Sequence, residues 1–157
     1  KELKFAADLI NRITKKVEGV KIGVHICRGN WSKQEDVLLS GDYAKLLPAL
    51  ERMKIDQFVL EYATPRAGDI DIVGRALHDR ELGLGVINPR TDVVEPVDFI
   101  VGKAEKALQY YRPDQLFLNT DCGFGCFASR SVNIEDVAYR KLCAITQSAA
   151  ILRKKYV

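Results

Sequence analysis

Long apolar runs are missing from this chain of 157 residues, and nothing in it approaches the ~18 apolar residues of a membrane span. No apolar run follows a basic start, so no targeting signal is read. A charge excess is missing as well: the formal net charge is +3, with acids and bases interspersed. Clustered Lys and Arg, the usual footprint of a nucleic-acid surface, are confined to Arg153-Lys154-Lys155. Those three close an expected helix, where cations complement the dipole. Neither nucleic acid nor membrane is therefore an expected partner. Four cysteines without dense spacing make no disulfide framework and fit a reducing compartment, with the cytoplasm as the expected location. Low-complexity segments and linkers are absent too, and the length suits one domain over residues 1–157 with a sizeable core.

What the sequence does contain is a repeated strand–helix unit. Leu3, Ala6, Ala7, Ile10, Ile13 and Val17 form the i, i+3, i+4 stripe of an amphipathic helix, which Gly19 stops. Val20 to Cys27 is short and β-branched and reads as a strand, followed by a polar loop and a helix from about Asp42 to Met53. Further strands are expected at Ile55–Glu61, Leu82–Ile87 and Gln115–Asn119. Helices are expected at about Asp69–Asp79, Pro96–Tyr111 and Ile134–Lys155. Four such units predict a parallel α/β sheet with crossover helices. Phe58-Val59-Leu60 and Leu116-Phe117-Leu118 read as strands buried on both faces. A small open sheet and four units of an eight-unit barrel fit the pattern equally.

The polar residues of interest fall at the carboxyl ends of these strands, the edge where parallel α/β proteins assemble their sites. His25 and Cys27 close the first strand, Glu61 the second, and Cys122 follows the fourth. Side chains two apart on a strand face the same way, about 6.5–7 Å apart, a span that suits two ligands of one ion. Two thiolates, an imidazole and a carboxylate make a borderline-soft set that favours Zn²⁺. With zinc the set sums to −1, and exchange of the carboxylate for a substrate thiolate preserves that charge. Taken singly, each residue has a plainer reading. An H-x-C pair is commonly a packed strand end, Cys122 or Cys126 a small buried hydrophobe, and Glu61 a solvated strand end. Cys143 reads as core and His78 as surface.

His25-Ile26-Cys27, Glu61 and Asn119-Thr120-Asp121-Cys122-Gly123 resemble the zinc motifs of the cobalamin-independent methionine synthase family, in its C-terminal catalytic barrel. Arg28-Gly29-Asn30-Trp31 and Pro65-Arg66-Ala67-Gly68 are similar to the shorter, single-barrel branch of that superfamily. The resemblance runs through essentially the whole chain. It implies zinc held by His25, Cys27, Glu61 and Cys122, with methyl transfer from a methylated folate to the thiol of homocysteine. It also implies a (β/α)8 TIM barrel of which these four units are the second half. Glu61, the hardest ligand, is the candidate to yield its place to substrate, and Asp121 a candidate to orient the site.

Two departures from the family pattern bear on function. Where the family's third-strand loop has an Asp and then a proton-donating His, this chain has Asn88 and Arg90. A guanidinium does not release its proton, so Arg90 is no general acid; it suits a carboxylate, sulfonate or phosphate instead. Asn88, Arg90 and Asp121 are thus the candidate substrate-binding residues. A related zinc alkyltransferase acting on another thiol, such as coenzyme M, is the alternative reading; a non-catalytic half-barrel with structural zinc is the third. The second departure is the missing first half of the barrel. Four strands leave two raw edges, so a missing N-terminal half-barrel or self-association is expected to cover them.

Overall fold

The computed structural model describes every residue except Lys1, Trp31, Glu35, Cys126 and Arg130. In chain order the elements are α1 (Glu2–Thr14), β1 (Gly23–Ile26), α2 (Leu47–Leu50), β2 (Gln57–Glu61), α3 (Asp71–Leu77), β3 (Glu81–Ile87), α4 (Val97–Ala107), β4 (Leu116–Thr120) and α5 (Glu135–Tyr156). The strands form one parallel sheet in the order β1-β2-β3-β4, so each is hydrogen-bonded to its neighbour in sequence. This is the α/β arrangement of βα units expected from the pattern.

Strand alternation separates two faces. Val24, Ile26, Phe58, Leu60, Leu82, Leu84 and Leu118 share one face and pack into a core with Val73 and Leu77 of α3, Ile100 and Ala107 of α4, and Ala144 of α5. Register places His25, Val59, Gly83 and Phe117 in one row of the other face, and Glu61, Gly85 and Asn119 in another. Here burial on both faces, expected from the apolar runs, fails: His25 and Phe117 are exposed and Val59 only half-buried. The helices cover one face of the sheet, while on the second Glu61 and β3 are buried and the outer positions His25 and Phe117 stay open. The α1 stripe behaves the same way, since Leu3 and Ile13 remain exposed and Ala7 is its one buried member.

The other difference lies in α2, which shrinks from the expected Asp42–Met53 to four residues. Pro48 explains the late start, because it has no N–H to donate back along the chain and is tolerated only in a first turn. The flanking residues form tight turns instead, with Leu46 N–H donating to Tyr43 O and Met53 N–H to Leu50 O.

Candidate metal centre

Strand register builds the site. His25 pairs with Val59 across β1 and β2, so Cys27, one residue beyond β1, continues the same face beside Glu61, the last residue of β2. Cys122 comes from the loop two residues after Thr120, where β4 ends. One ligand atom from each of His25, Cys27, Glu61 and Cys122 lies within 4.8 Å of all the others. A tetrahedral ion with bonds of ~2.0–2.3 Å separates its ligands by roughly 3.5 Å, so the four close in by about 1 Å to share one. The four residues singled out in the sequence are brought together.

The surroundings of His25 and Glu61 suit that role. His25 Nδ1 lies 3.1 Å from Val59 O; a carbonyl only accepts, so Nδ1 carries a hydrogen and Nε2 is the nitrogen left to face the cluster. Glu61 is 2% exposed. Its Oε2 accepts from Asn30 Nδ2 at 2.6 Å and from the Arg28 N–H at 3.1 Å. Oε1 is buried and makes no hydrogen bond of ordinary geometry, with His25 Nε2 at 3.7 Å and the Cys27 thiol close to the carboxylate. An orphaned buried acceptor costs about 1–3 kcal/mol, which a cation at that point relieves. Burial raises the Glu61 pKa, opposed by the Arg28 N–H, the His25 imidazole and the Cys27 thiol. The donor set and the orphaned oxygen both fit a divalent borderline ion. The site is sealed on its Glu61 side and open on its His25 and Cys27 side, both of which are exposed.

Asp121 supports this cluster from below. It is 1% exposed, and its Oδ1 accepts the N–H groups of Tyr62 and Ala63, each at 3.0 Å. Its carboxylate therefore ties the Cys122 loop to the chain just after Glu61. Burial pushes its pKa up to about 7, against the pull of those two amides. Gly85 makes this possible: a Cβ there would stand 2.2 Å from Asp121 Oδ1.

Asn88 and Arg90 also hold the neighbouring loops together. Asn88 Oδ1 accepts the Arg90 N–H at 3.0 Å, and Asn88 N–H donates to Glu95 Oε1 at 2.8 Å. Arg90 is 7% exposed and its Nε donates to Ser32 O, joining the β3 loop to the β1 loop. Cys126, the second thiol of the Cys122 loop, lies outside the described residues. Three supporting residues carried no role in the sequence reading. Asn30 adjoins the His25–Cys27 motif and was within reach of it. Tyr43, whose Oη accepts the Glu61 N–H at 2.9 Å, lies 18 residues away and gave no local signal. Lys141 could have been found, because it falls in the buried stripe Val137, Lys141, Ala144, Ser148, Leu152 of α5.

Comparison with known proteins adds ancestry to this geometry. Residues 6–138 match the family described as "Cobalamin-independent synthase, Catalytic domain". The methionine synthase of Pyrococcus abyssi is 32% identical over 154 residues, covering 98% of this chain and 40% of that protein. That of Thermococcus kodakarensis is 30% identical with the same coverage. Among solved structures, a B12-independent methionine synthase from Shewanella sp. W3-18-1, in complex with selenomethionine, superposes with a TM-score of 0.79 at 23% identity over 95% of this chain and 43% of that one. A putative vitamin-B12 independent methionine synthase from Listeria monocytogenes gives 0.67 at 25% identity, over 96% and 41%. This chain thus spans about 40% of the length of the curated relatives it matches.

Proposed function

The chain belongs to the cobalamin-independent synthase catalytic-domain family, and from that premise we propose that it forms the metal-bearing half of a zinc-dependent methyltransferase acting on a thiol. The supporting observation is the convergence of two thiols, an imidazole and a buried carboxylate oxygen without an ordinary hydrogen bond within 4.8 Å at the carboxyl edge of the sheet. His25, Cys27 and Cys122 are the permanent ligands in this reading. Zinc, when bound, supplies the positive charge that ionises a coordinated thiol near neutrality. Glu61 would be the ligand to give way to an incoming thiol. Its departure is eased because Oε2 keeps two hydrogen-bond donors whether or not Oε1 is engaged. The open side at His25 and Cys27 is the entry for the thiol, and homocysteine and a methylated folate are the proposed pair.

The open outer positions of the second sheet face, the exposed α1 stripe and the two outer strands β1 and β4 support a further element that completes a barrel. A further part of a longer chain, or another copy, would supply it, along with the surfaces that hold the rest of both substrates. No helix of the described residues is long and apolar enough to cross a membrane, and the cytoplasm is the proposed compartment.

X-ray absorption of the zinc-loaded protein with and without homocysteine tests the catalytic reading. An added sulfur replacing an oxygen in the metal's shell supports it. An unchanged shell assigns the zinc a structural role, because structural sites are closed by four protein ligands.

A further inference from the structure

The two oxygens of Glu61 are treated unequally, and the inequality is built into the β1 loop. Both donors to Oε2 come from one short segment, the Arg28 N–H and the Asn30 side chain. Gly29 lets that segment fold back: its φ is +97°, and a Cβ there would meet Val37 O at 2.5 Å. The segment is anchored on its far side. The Arg28 guanidinium donates to the carbonyls of Leu39 and Gly41 and lies over the Tyr43 ring, 5.3 Å from its centroid. Tyr43 in turn accepts the Glu61 N–H. The donors are therefore fixed relative to the carboxylate they hold.

Asn30 is itself buried, and its Oδ1 has no hydrogen-bond partner, so the amide nitrogen is its working end. At 2.6 Å, an amide donating to a carboxylate is a strong, charge-assisted contact. A free carboxylate beside a cation can offer one oxygen or two. With both donors on Oε2, the second oxygen is committed.

We propose that Asn30 is a positioning residue that holds Glu61 Oε2, so that Glu61 meets the metal through Oε1 alone, as a single-oxygen ligand that can withdraw without losing its other partners. This rests on the zinc reading above and specifies how its exchangeable ligand is controlled. Asn30 touches neither metal nor substrate and acts through Glu61.

The test is zinc affinity by competition with a chromophoric chelator, using the wild type, Asn30→Ala, Asn30→Asp, Glu61→Ala and the Asn30→Ala/Glu61→Ala double variant. Loss of a partner that orients a ligand weakens metal binding about 10–100-fold, and that loss is expected for Asn30→Ala. Asn30→Asp keeps the shape, sets a like charge against Oε2, and is expected to lose more. In the Glu61→Ala background, removing Asn30 is expected to change nothing further, because its target is gone. X-ray absorption supplies the second readout: one oxygen in the zinc shell of the wild type, and a changed oxygen contribution in Asn30→Ala. Wild-type affinity in both Asn30 variants, beside a weakened Glu61→Ala, overturns the role of Asn30 alone. An equal loss from Asn30→Ala with and without Glu61 also overturns it, as general loosening of the loop. Wild-type affinity in Glu61→Ala overturns the zinc reading itself. Should Asn30→Ala not fold, the isosteric Asn30→Asp decides.

Discussion

Gly85→Ala is the smallest change that should disturb the site, and its size can be worked from the contacts. Gly85 stands on β3 between Glu61 and Asn119. An added Cβ would meet Asp121 Oδ1 at 2.2 Å, Leu60 O at 2.8 Å and Glu61 Cα at 3.1 Å. The last two are backbone and cannot move without parting β2 from β3. Asp121 cannot retreat cheaply either, because Oδ1 accepts both the Tyr62 and the Ala63 N–H. Overpacking of this kind costs about 1–3 kcal/mol, and losing one of the two bonds adds about 1 kcal/mol. A destabilisation of about 3 kcal/mol is expected, which lowers the Tm of a chain this size by roughly 6–12 °C. Gly102→Ala is the control. It lies inside α4, a Cβ there meets nothing within 4 Å, and the gain in helix propensity should stabilise by about 1 kcal/mol. Thermal unfolding followed by circular dichroism, in chelator, compares the three proteins. A Gly85→Ala midpoint within about 2 °C of wild type would refute the argument that this glycine makes room for Asp121.

Two other outcomes follow from the same structure. Lys141 is 0% exposed and donates to Asn88 O and Glu95 Oε2, each at 3.0 Å, so Lys141→Met strands a largely buried carboxylate. A loss of about 3–5 kcal/mol is expected in urea unfolding, with Lys141→Met/Glu95→Gln recovering part of it; no recovery would mean that the ion pair is not the source. Zinc affinity should fall steadily as pH is lowered from 8 to 6, because ligand thiols and imidazole bind the metal only after losing protons. Chelator competition across that range checks it, and a flat profile would speak against thiol ligation.

The four strands and their order of helices were legible because each strand is a compact apolar run closed by a polar residue or a turn. The cluster of candidate ligands was legible for the same reason: His25, Cys27, Glu61 and Cys122 all sit at or just past the ends of those runs. Local pattern could not show that the outer positions of the second face stay open. Phe117 is as apolar as its neighbours, and its exposure depends on what packs against it from far away in sequence. Nor could it show the length of α2, where a single Pro48 outweighs an otherwise helical stretch. The contact that Arg90 makes also depends on a distant partner, because it reaches Ser32 across the β1 loop, which no spacing announces. Lys141 had a pattern that pointed to burial, but its lysine chemistry argued for the surface until three acceptors were found around its Nζ.

The proposed chemistry requires His25, Cys27, Glu61 and Cys122 to share one zinc ion, and elemental analysis of the purified wild type beside Cys122→Ser measures that directly. One zinc per wild-type chain, with affinity sharply reduced in a Cys122→Ser protein that still folds, is the predicted result. A folded wild type that takes up no zinc, or a Cys122→Ser variant that binds it as tightly as wild type, would contradict it.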